Sequence, residues 1–93
     1  MRWHVIDCRE FYDVPRMIVA ANEEGTFLFY SRFDEVIDDY ASHYEVYRMP
    51  ELDREVLAAS WEGLERRALE RRPNMPVSAL PFTVKRRGNA SAA

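Results

Sequence analysis

Cys8, His4 and His43 are the residues of this chain best suited to nucleophilic catalysis. A thiol beside an imidazole can be activated as a thiolate. His4 and Cys8 would share one face of an extended segment, but four residues at about 3.3 Å each separate them by about 13 Å, far beyond hydrogen-bonding reach. No motif links His43 to either residue. The favoured interpretation is a buried, unreactive Cys8, and a small enzyme or enzyme subunit using Cys8 with a histidine remains an alternative.

The densest cluster of side chains that could bind a metal lies between residues 34 and 43. It comprises Asp34, Glu35, Asp38, Asp39 and His43. On a helix, carboxylates four residues apart are one turn apart and could chelate a hard cation. The alternating ligands and central glycine of a calcium-binding loop are absent from the sequence, however, and so are the common zinc-ligand spacings. We therefore expect a solvated acidic face and no bound metal.

Motifs for nucleotide binding and for hydrolysis are missing from the sequence. The three glycines, at positions 25, 63 and 88, lie far apart, so they form neither a Walker loop nor a dinucleotide-binding fingerprint. There is no Gly-x-Ser-x-Gly turn, and no pair of carboxylates stands in an apolar setting that would separate two pKa values. The sequence thus predicts no catalytic residues and no cofactor.

Acidic and basic residues are unevenly distributed along the chain. The formal net charge is −3, but the first 65 residues carry 15 acids and six bases, and the remainder carries seven bases and one acid. The two parts therefore have net charges of −9 and +6. Charge asymmetry of this kind can signal an interaction tail or a site for a polyanion, so each part contains a candidate binding region.

The first candidate binding region is acidic and rich in tyrosine. It comprises Asp34, Glu35, Asp38, Asp39, Tyr40, Tyr44 and Tyr47. Tyrosine is enriched at interfaces because it combines contact area with hydrogen bonding, and a negative surface accelerates association with a basic partner. A purely structural role, with half-buried tyrosines and acids that only increase solubility, accounts for the same residues equally well.

The second candidate binding region is basic. It comprises Arg66, Arg67, Arg71 and Arg72. Extended by Lys85-Arg86-Arg87, it could contact phosphates, so a nucleic-acid-associated regulator is an alternative function. Against this alternative, cations near a helix C-terminus are favoured by the helix dipole and by i, i+4 pairs without any ligand, and the acidic body would repel a phosphate backbone.

Short segments rich in β-branched and aromatic residues predict strands. The segments are residues 3–8, 16–21, 26–30, 43–49 and 77–84. Turn residues ending at Gly25 join the second and third strands as a hairpin, and both of these strands are apolar at successive positions, so we expect them to be covered on both faces. Pro81 restricts the last strand to a sheet edge.

Apolar spacing predicts two helices. The short one is indicated by the i, i+3, i+4, i+7 spacing of Phe33, Val36, Ile37 and Tyr40. The long one spans residues 50–72, where an apolar stripe lies on one side of the helix and acids and arginines lie on the other. Pro50 at its start and Pro73 beyond its end are typical helix punctuation, and residues 73–76 are predicted to form a turn.

These elements predict an α+β domain with a single, mostly antiparallel sheet of four to five strands, in the order β-β-β-α-β-α-β, packed by one short and one long helix. It would span residues 1–88, followed by a disordered tail at 89–93. The lone Cys8 cannot form an internal disulfide. No apolar run approaches the roughly 20 residues of a membrane span, so we expect a soluble, cytoplasmic protein without membrane contacts.

The sequence therefore favours a non-catalytic module that binds another protein or a second copy of itself, as an adaptor, inhibitor or immunity-like protein. The acidic region would contact a basic partner, and the basic end of the long helix would contact an acidic one.

Overall fold

The computed structural model describes residues 2–84, apart from the side chain of Tyr12. The helices and strands in chain order are β1 (His4–Tyr12), β2 (Val14–Asn22), β3 (Gly25–Tyr30), β4 (Phe33–Asp34), β5 (Asp39–Tyr40), β6 (His43–Met49), α1 (Arg54–Ala58), a 3₁₀ turn (Leu64–Arg67), β7 (Glu70–Pro76) and a second 3₁₀ turn (Val77–Ala79). The predicted tail at 89–93 and the tripeptide Lys85-Arg86-Arg87 lie outside the described residues.

Five of the strands form one antiparallel sheet in the order β1-β2-β3-β6-β7. The predicted hairpin between β2 and β3 is confirmed. Asn22 pairs with Gly25, whose φ of 140° is a conformation that glycine alone adopts readily. β1 runs further than predicted, to Tyr12, because Asp13 makes a tight turn into β2 with a φ of 65°, which aspartate tolerates better than most residues.

Both faces of the sheet are covered, as the apolar patterns of β2 and β3 predict. One face, called the Trp61 face below, has a core of Met17, Val19, Leu28, Tyr47, Met49, Trp61 and Leu64. The other, called the Trp3 face, has a core of Ile18, Ala20, Phe27, Phe29, Tyr44 and Val46, with Trp3 packed against it. Successive residues of β2 and β3 therefore alternate between two cores, which explains their continuous apolar sequences.

The short helix predicted around residues 33–40 is wrong, because these residues form the two-stranded hairpin β4–β5. Asp34 Oδ1 accepts a hydrogen bond from the backbone N–H of Val36 at 2.9 Å, and Asp38 has a φ of 55°. Aspartate side chains compete in this way with helical hydrogen bonds, and β-branched Val36 and Ile37 also have lower helix propensity. The local turn therefore replaces the helix.

The long helix predicted over residues 50–72 is also wrong. Within this range only α1 and a 3₁₀ turn are helical. Between them, Gly63 has a left-handed backbone conformation with a φ of 76°, which is incompatible with a continuous helix. Arg9 reaches across from β1 and donates hydrogen bonds to the carbonyls of Leu57 and Ala59. The indole N–H of Trp61 also donates to the Leu57 carbonyl, so side chains satisfy these acceptors at the end of α1. None of the helices within residues 2–84 is long and apolar enough to cross a membrane.

The predictions for the end of the chain fail for a related reason. β7 extends over the predicted turn at 73–76 and takes the edge position beside β6, where its prolines are tolerated. Residues 77–84 therefore form no strand. Instead they cross the Trp3 face and cover it with Val77, Leu80, Phe82 and Val84. The mostly antiparallel sheet agrees with the predicted α+β class, whereas the number and order of the helices do not.

Candidate functional site

Hairpin β4–β5, residues 33–40, is called the acidic hairpin below and carries most of the exposed large apolar side chains of residues 2–84. Phe33 is 50%, Val36 92% and Ile37 61% exposed, and the fourth such residue, Leu69, lies elsewhere at 58%. The same hairpin carries four exposed carboxylates, those of Asp34, Glu35, Asp38 and Asp39. Such exposed apolar side chains contribute little to the core, and together with the carboxylates they make the hairpin a candidate interaction site.

The acidic hairpin is fixed to the sheet through the buried side chain of Arg16, which is 8% exposed. Its guanidinium lies over the ring of Tyr40, 4.5 Å from the centroid, and donates a hydrogen bond to Ser31 Oγ at 3.2 Å. Ser31 Oγ in turn donates to the carbonyl of Ala41 at 2.9 Å. Tyr40 also packs edge-on against Phe33. The position of the apolar tip is therefore set by the sheet.

A second cation, Arg32, holds the N-terminal side of the hairpin base. It donates to Glu45 Oε2 at 2.7 Å and to Glu65 Oε2 at 3.2 Å, and its guanidinium lies 4.6 Å from the ring centroid of Tyr30. The hydrogen bond to Glu45 is the main reason that the pKa of Arg32 is raised. Arg32 therefore links β3, β6 and the first 3₁₀ turn beside the hairpin.

The pKa of Glu45 reports this network. Burial by itself raises the pKa of a carboxyl group, but hydrogen bonds from Tyr47 Oη and Arg32 outweigh burial, so the pKa of Glu45 lies below its ordinary value. Tyr47 Oη donates to Glu45 Oε1 at 2.5 Å, and Arg32 supplies the ionic partner. Glu45 is consequently an ionised structural residue that holds Arg32 in place beside the base of the acidic hairpin.

Two of the three tyrosines expected in an exposed patch are buried. Tyr44 is fully buried, and its hydroxyl donates to the carbonyl of Pro15 at 2.7 Å. Tyr47 is 8% exposed and belongs to the Trp61 face. Burial raises the pKa of both hydroxyls. The expectation of a surface patch that includes these rings is corrected accordingly, because alternate positions of β6 face the two cores. Tyr40, the last residue of the acidic hairpin, is the one of the three that is partly exposed.

The four arginines of the basic region do not share one helix end. Arg66 and Arg67 close the first 3₁₀ turn. Arg71 and Arg72 are successive residues of β7 and point to opposite faces: Arg71 lies over Tyr47, 5.1 Å from the ring centroid, whereas Arg72 pairs with Glu70 at 3.6 Å. Because the predicted long helix does not form, the pair Arg66 and Arg67 lies on a different element from the pair Arg71 and Arg72. Whether any of these residues contacts a partner stays a prediction.

Cys8 and the two histidines are not brought together. Cys8 packs partly buried on the Trp3 face of β1, and His43 lies on β6, three strand positions away, or about 14 Å at the usual strand spacing. His43 Nδ1 instead contacts Ser42 Oγ at 3.0 Å at the surface. Within residues 2–84, no three His, Cys, Asp or Glu side chains are grouped closely enough to hold a metal ion.

A polar cavity of about 560 Å³ opens beside the hairpin base. Three of its charged groups, those of Arg9, Arg32 and Glu65, have partners inside the protein. Arg9 is stacked on Trp61, 4.6 Å from the ring centroid, in addition to its bonds to α1, and Arg32 is held by two glutamates. Glu65 Oε1 is buried without a hydrogen-bond partner among the described residues. These contacts explain the position of the 3₁₀ turn and leave the acidic hairpin as the better candidate site.

Comparison with known proteins gives no relative from which a function could be transferred. The chain matches no described protein family, no curated protein and no solved structure. The candidate site is therefore argued from its own geometry.

The sequence identified the carboxylates of the hairpin but missed the residues that position it. One signal was present: Arg16 interrupts the start of an apolar strand that is otherwise buried. A buried arginine requires a hydrogen-bonding or aromatic partner, which here is Ser31 and Tyr40. The identity of that partner depends on strand pairing, which local sequence patterns do not specify.

Proposed function

We propose that this protein is a non-catalytic protein-binding module and that the acidic hairpin is its contact surface. The observation that carries the proposal is the exposure of Phe33, Val36 and Ile37 at one protruding hairpin. Removing such side chains from water at an interface contributes about 25 cal/mol per Å² of apolar area, before the entropy and desolvation costs of association are subtracted. In the free protein these exposed side chains contribute little to folding stability. Contact with a partner would account for their presence on the surface.

The charges around the apolar tip indicate the chemistry of the partner. The carboxylates of Asp34, Glu35, Asp38 and Asp39 surround Val36 and Ile37, so the fitting surface is an apolar recess bordered by Lys or Arg. The carboxylates would mainly increase the association rate and select against acidic partners, while the apolar tip would slow dissociation. A basic protein with such a recess meets this description, and self-association of this acidic chain is the alternative outcome.

The anchoring of the hairpin supports binding without a large conformational cost. Arg16 and Arg32 hold its two sides against the sheet, so few backbone dihedrals need to be ordered when a partner docks. A preorganised surface loses less conformational entropy on binding than a flexible loop of the same composition.

The test is affinity capture with the full chain, quantified by mass spectrometry at two salt concentrations and followed by sedimentation of the purified protein. The double variant Asp38→Lys/Asp39→Lys should lose the captured protein, or the self-association, that the wild type shows. Glu51→Lys/Glu55→Lys is the matched control, because it makes the same charge change at exposed positions around α1. Equal capture and equal sedimentation for the wild type and both variants would refute the proposal.

The nucleic-acid alternative receives no specific support from the described residues. Arg71 donates to Asn74 and stacks on Tyr47, and Arg72 pairs with Glu70 on the other face. A phosphate-binding stripe would require these cations to face one direction. A cytoplasmic location stays a prediction from the sequence.

A further inference from the structure

An apolar cavity on the Trp3 face lies on a different surface from the acidic hairpin. Its volume is about 330 Å³, at the lower end of the range of small-ligand sites. The apolar part of its lining consists mainly of Trp3, Phe27, Phe29, Val46 and Met75. The ring of Trp3 contacts those of Phe27 and Phe29 edge-on, with centroids 5.5 and 5.6 Å apart, which holds the lining in place.

One cation stands at the rim of this cavity. Arg72 lines it and pairs across the sheet with Val46, so its side chain leaves β7 directly beside the apolar lining. Its nearest acid is Glu70, with Nη1 and Oε1 3.6 Å apart, which is too long for a hydrogen bond. Glu70 is half-exposed and shares the same oxygen with Arg48 at 3.5 Å. The guanidinium of Arg72 therefore makes only a weak ionic contact.

Two side-chain amides, those of Asn22 and Asn74, also belong to the polar part of the lining. Asn74 lines the cavity, and because its Oδ1 accepts from Arg71 at 2.6 Å, its amide nitrogen is the group that remains to donate. Glu24 is the one acid of the lining. It is exposed in the β2–β3 turn, where its carboxylate can stay in water while the arginine and the amide donate to a bound anion.

We propose that this cavity binds a small monocarboxylate with an apolar aliphatic or aromatic body, with the carboxylate on Arg72 and the body against Trp3 and Met75. A planar guanidinium recognises a carboxylate through two parallel hydrogen bonds. The enclosing aromatic side chains remove the apolar body from water. The site is independent of the acidic hairpin.

The two tryptophans allow a direct test, because Trp3 lines this cavity and Trp61 belongs to the opposite face. In a Trp61→Phe background of the full chain, octanoate should change the emission of Trp3 saturably. In the Trp61-containing wild type, calorimetry should give the same affinity. 1-Octanol and octylammonium, which match the apolar body but not the charge, should bind more weakly than octanoate.

Arg72→Gln should weaken octanoate binding by about tenfold or more, because a charge-assisted hydrogen bond is lost. Arg48→Gln is the matched control: it removes a cation that shares the carboxylate of Glu70 and is not part of the lining, so affinity should change by less than about twofold. The proposal is overturned if octanoate shows no saturable binding, if 1-octanol or octylammonium binds at least as tightly, or if the two variants have equal effects.

Discussion

Arg9, Arg16 and Arg32 each have a specific structural role, which the sequence signals only for Arg16, a cation at the start of an apolar strand. Arg9 accommodates the end of α1, and Arg16 and Arg32 hold the two sides of the acidic hairpin. Each also stacks on an aromatic ring. Lysine could not replace them equally well, because only guanidinium combines several fixed donors with a flat stacking surface.

Glu45 makes stability depend on pH in a defined direction. Since its pKa in the folded protein is below the unfolded value of about 4.5, its contribution is fully present above pH 4.5 and is lost as pH falls through the folded pKa. The difference in unfolding free energy between wild type and Glu45→Gln should therefore shrink below pH 4.5. Urea titrations from pH 7 to 3 measure it, with Glu51→Gln as an exposed control. A difference that grows with acidification would contradict the assignment.

Trp61 is expected to be the most costly single truncation on its face of the sheet. It is 3% exposed, and its indole N–H donates to the carbonyl of Leu57 at 3.0 Å. Trp61→Ala should lower the unfolding free energy by about 3–5 kcal/mol. Leu69→Ala, which truncates an exposed residue in the same part of the chain, should cost less than about 0.5 kcal/mol. Similar midpoints of chemical denaturation for the two variants would show that Trp61 is not core.

Among the elements, the acidic hairpin depends most on a contact from outside itself. Two strands of two residues each are too short to be stable alone. Arg16→Met keeps most of the apolar stem but removes the guanidinium, so the unfolding free energy should fall by about 1–3 kcal/mol. Proteolytic cleavage within residues 35–38 should become faster.

Limited proteolysis with mass spectrometry measures that change. Arg54→Met, at an exposed position of α1, is the control and should leave cleavage within residues 35–38 unaltered. If Arg16→Met is cleaved no faster than wild type, the hairpin is held by other contacts.

At this scale the sequence predicted β1, β2, β3 and β6 but missed β4, β5 and β7, placed a strand at 77–84 where there is none, and misassigned both helices. β2, β3 and β6 have patterns that arise from their own burial, and Gly25 marks the turn, so local information was sufficient. In residues 33–40 the spacing of Val36 and Ile37 matched the buried face of a helix. These side chains are instead exposed at the tip of a hairpin, so their spacing does not reflect packing in a core. The helix predicted over residues 50–72 overlapped the start of β7, whose strand conformation comes from pairing with β6, a non-local interaction.

At the scale of the whole molecule, the two proposed binding surfaces lie apart on a five-stranded sheet whose faces both carry a core. The acidic hairpin follows β3 at one end of the sheet, and the apolar cavity lies over the Trp3 face beside β7. The net charge of −3 conceals this arrangement, because the acids of residues 34–39 are concentrated on one hairpin. The sequence indicated that concentration, but the exposure of the apolar tip required the fold.

The central claim is that a partner contacts the acidic hairpin, and site-specific photo-crosslinking tests it most directly. A photoreactive phenylalanine analogue would replace Ile37 at the tip or, as the control, Glu55 in the first turn of α1, both exposed. After irradiation in native lysate, we expect position 37 to form a salt-sensitive covalent adduct with one basic protein or with a second copy of this chain, and position 55 to form none. No adduct at position 37, or the same adduct from both positions, would contradict the account.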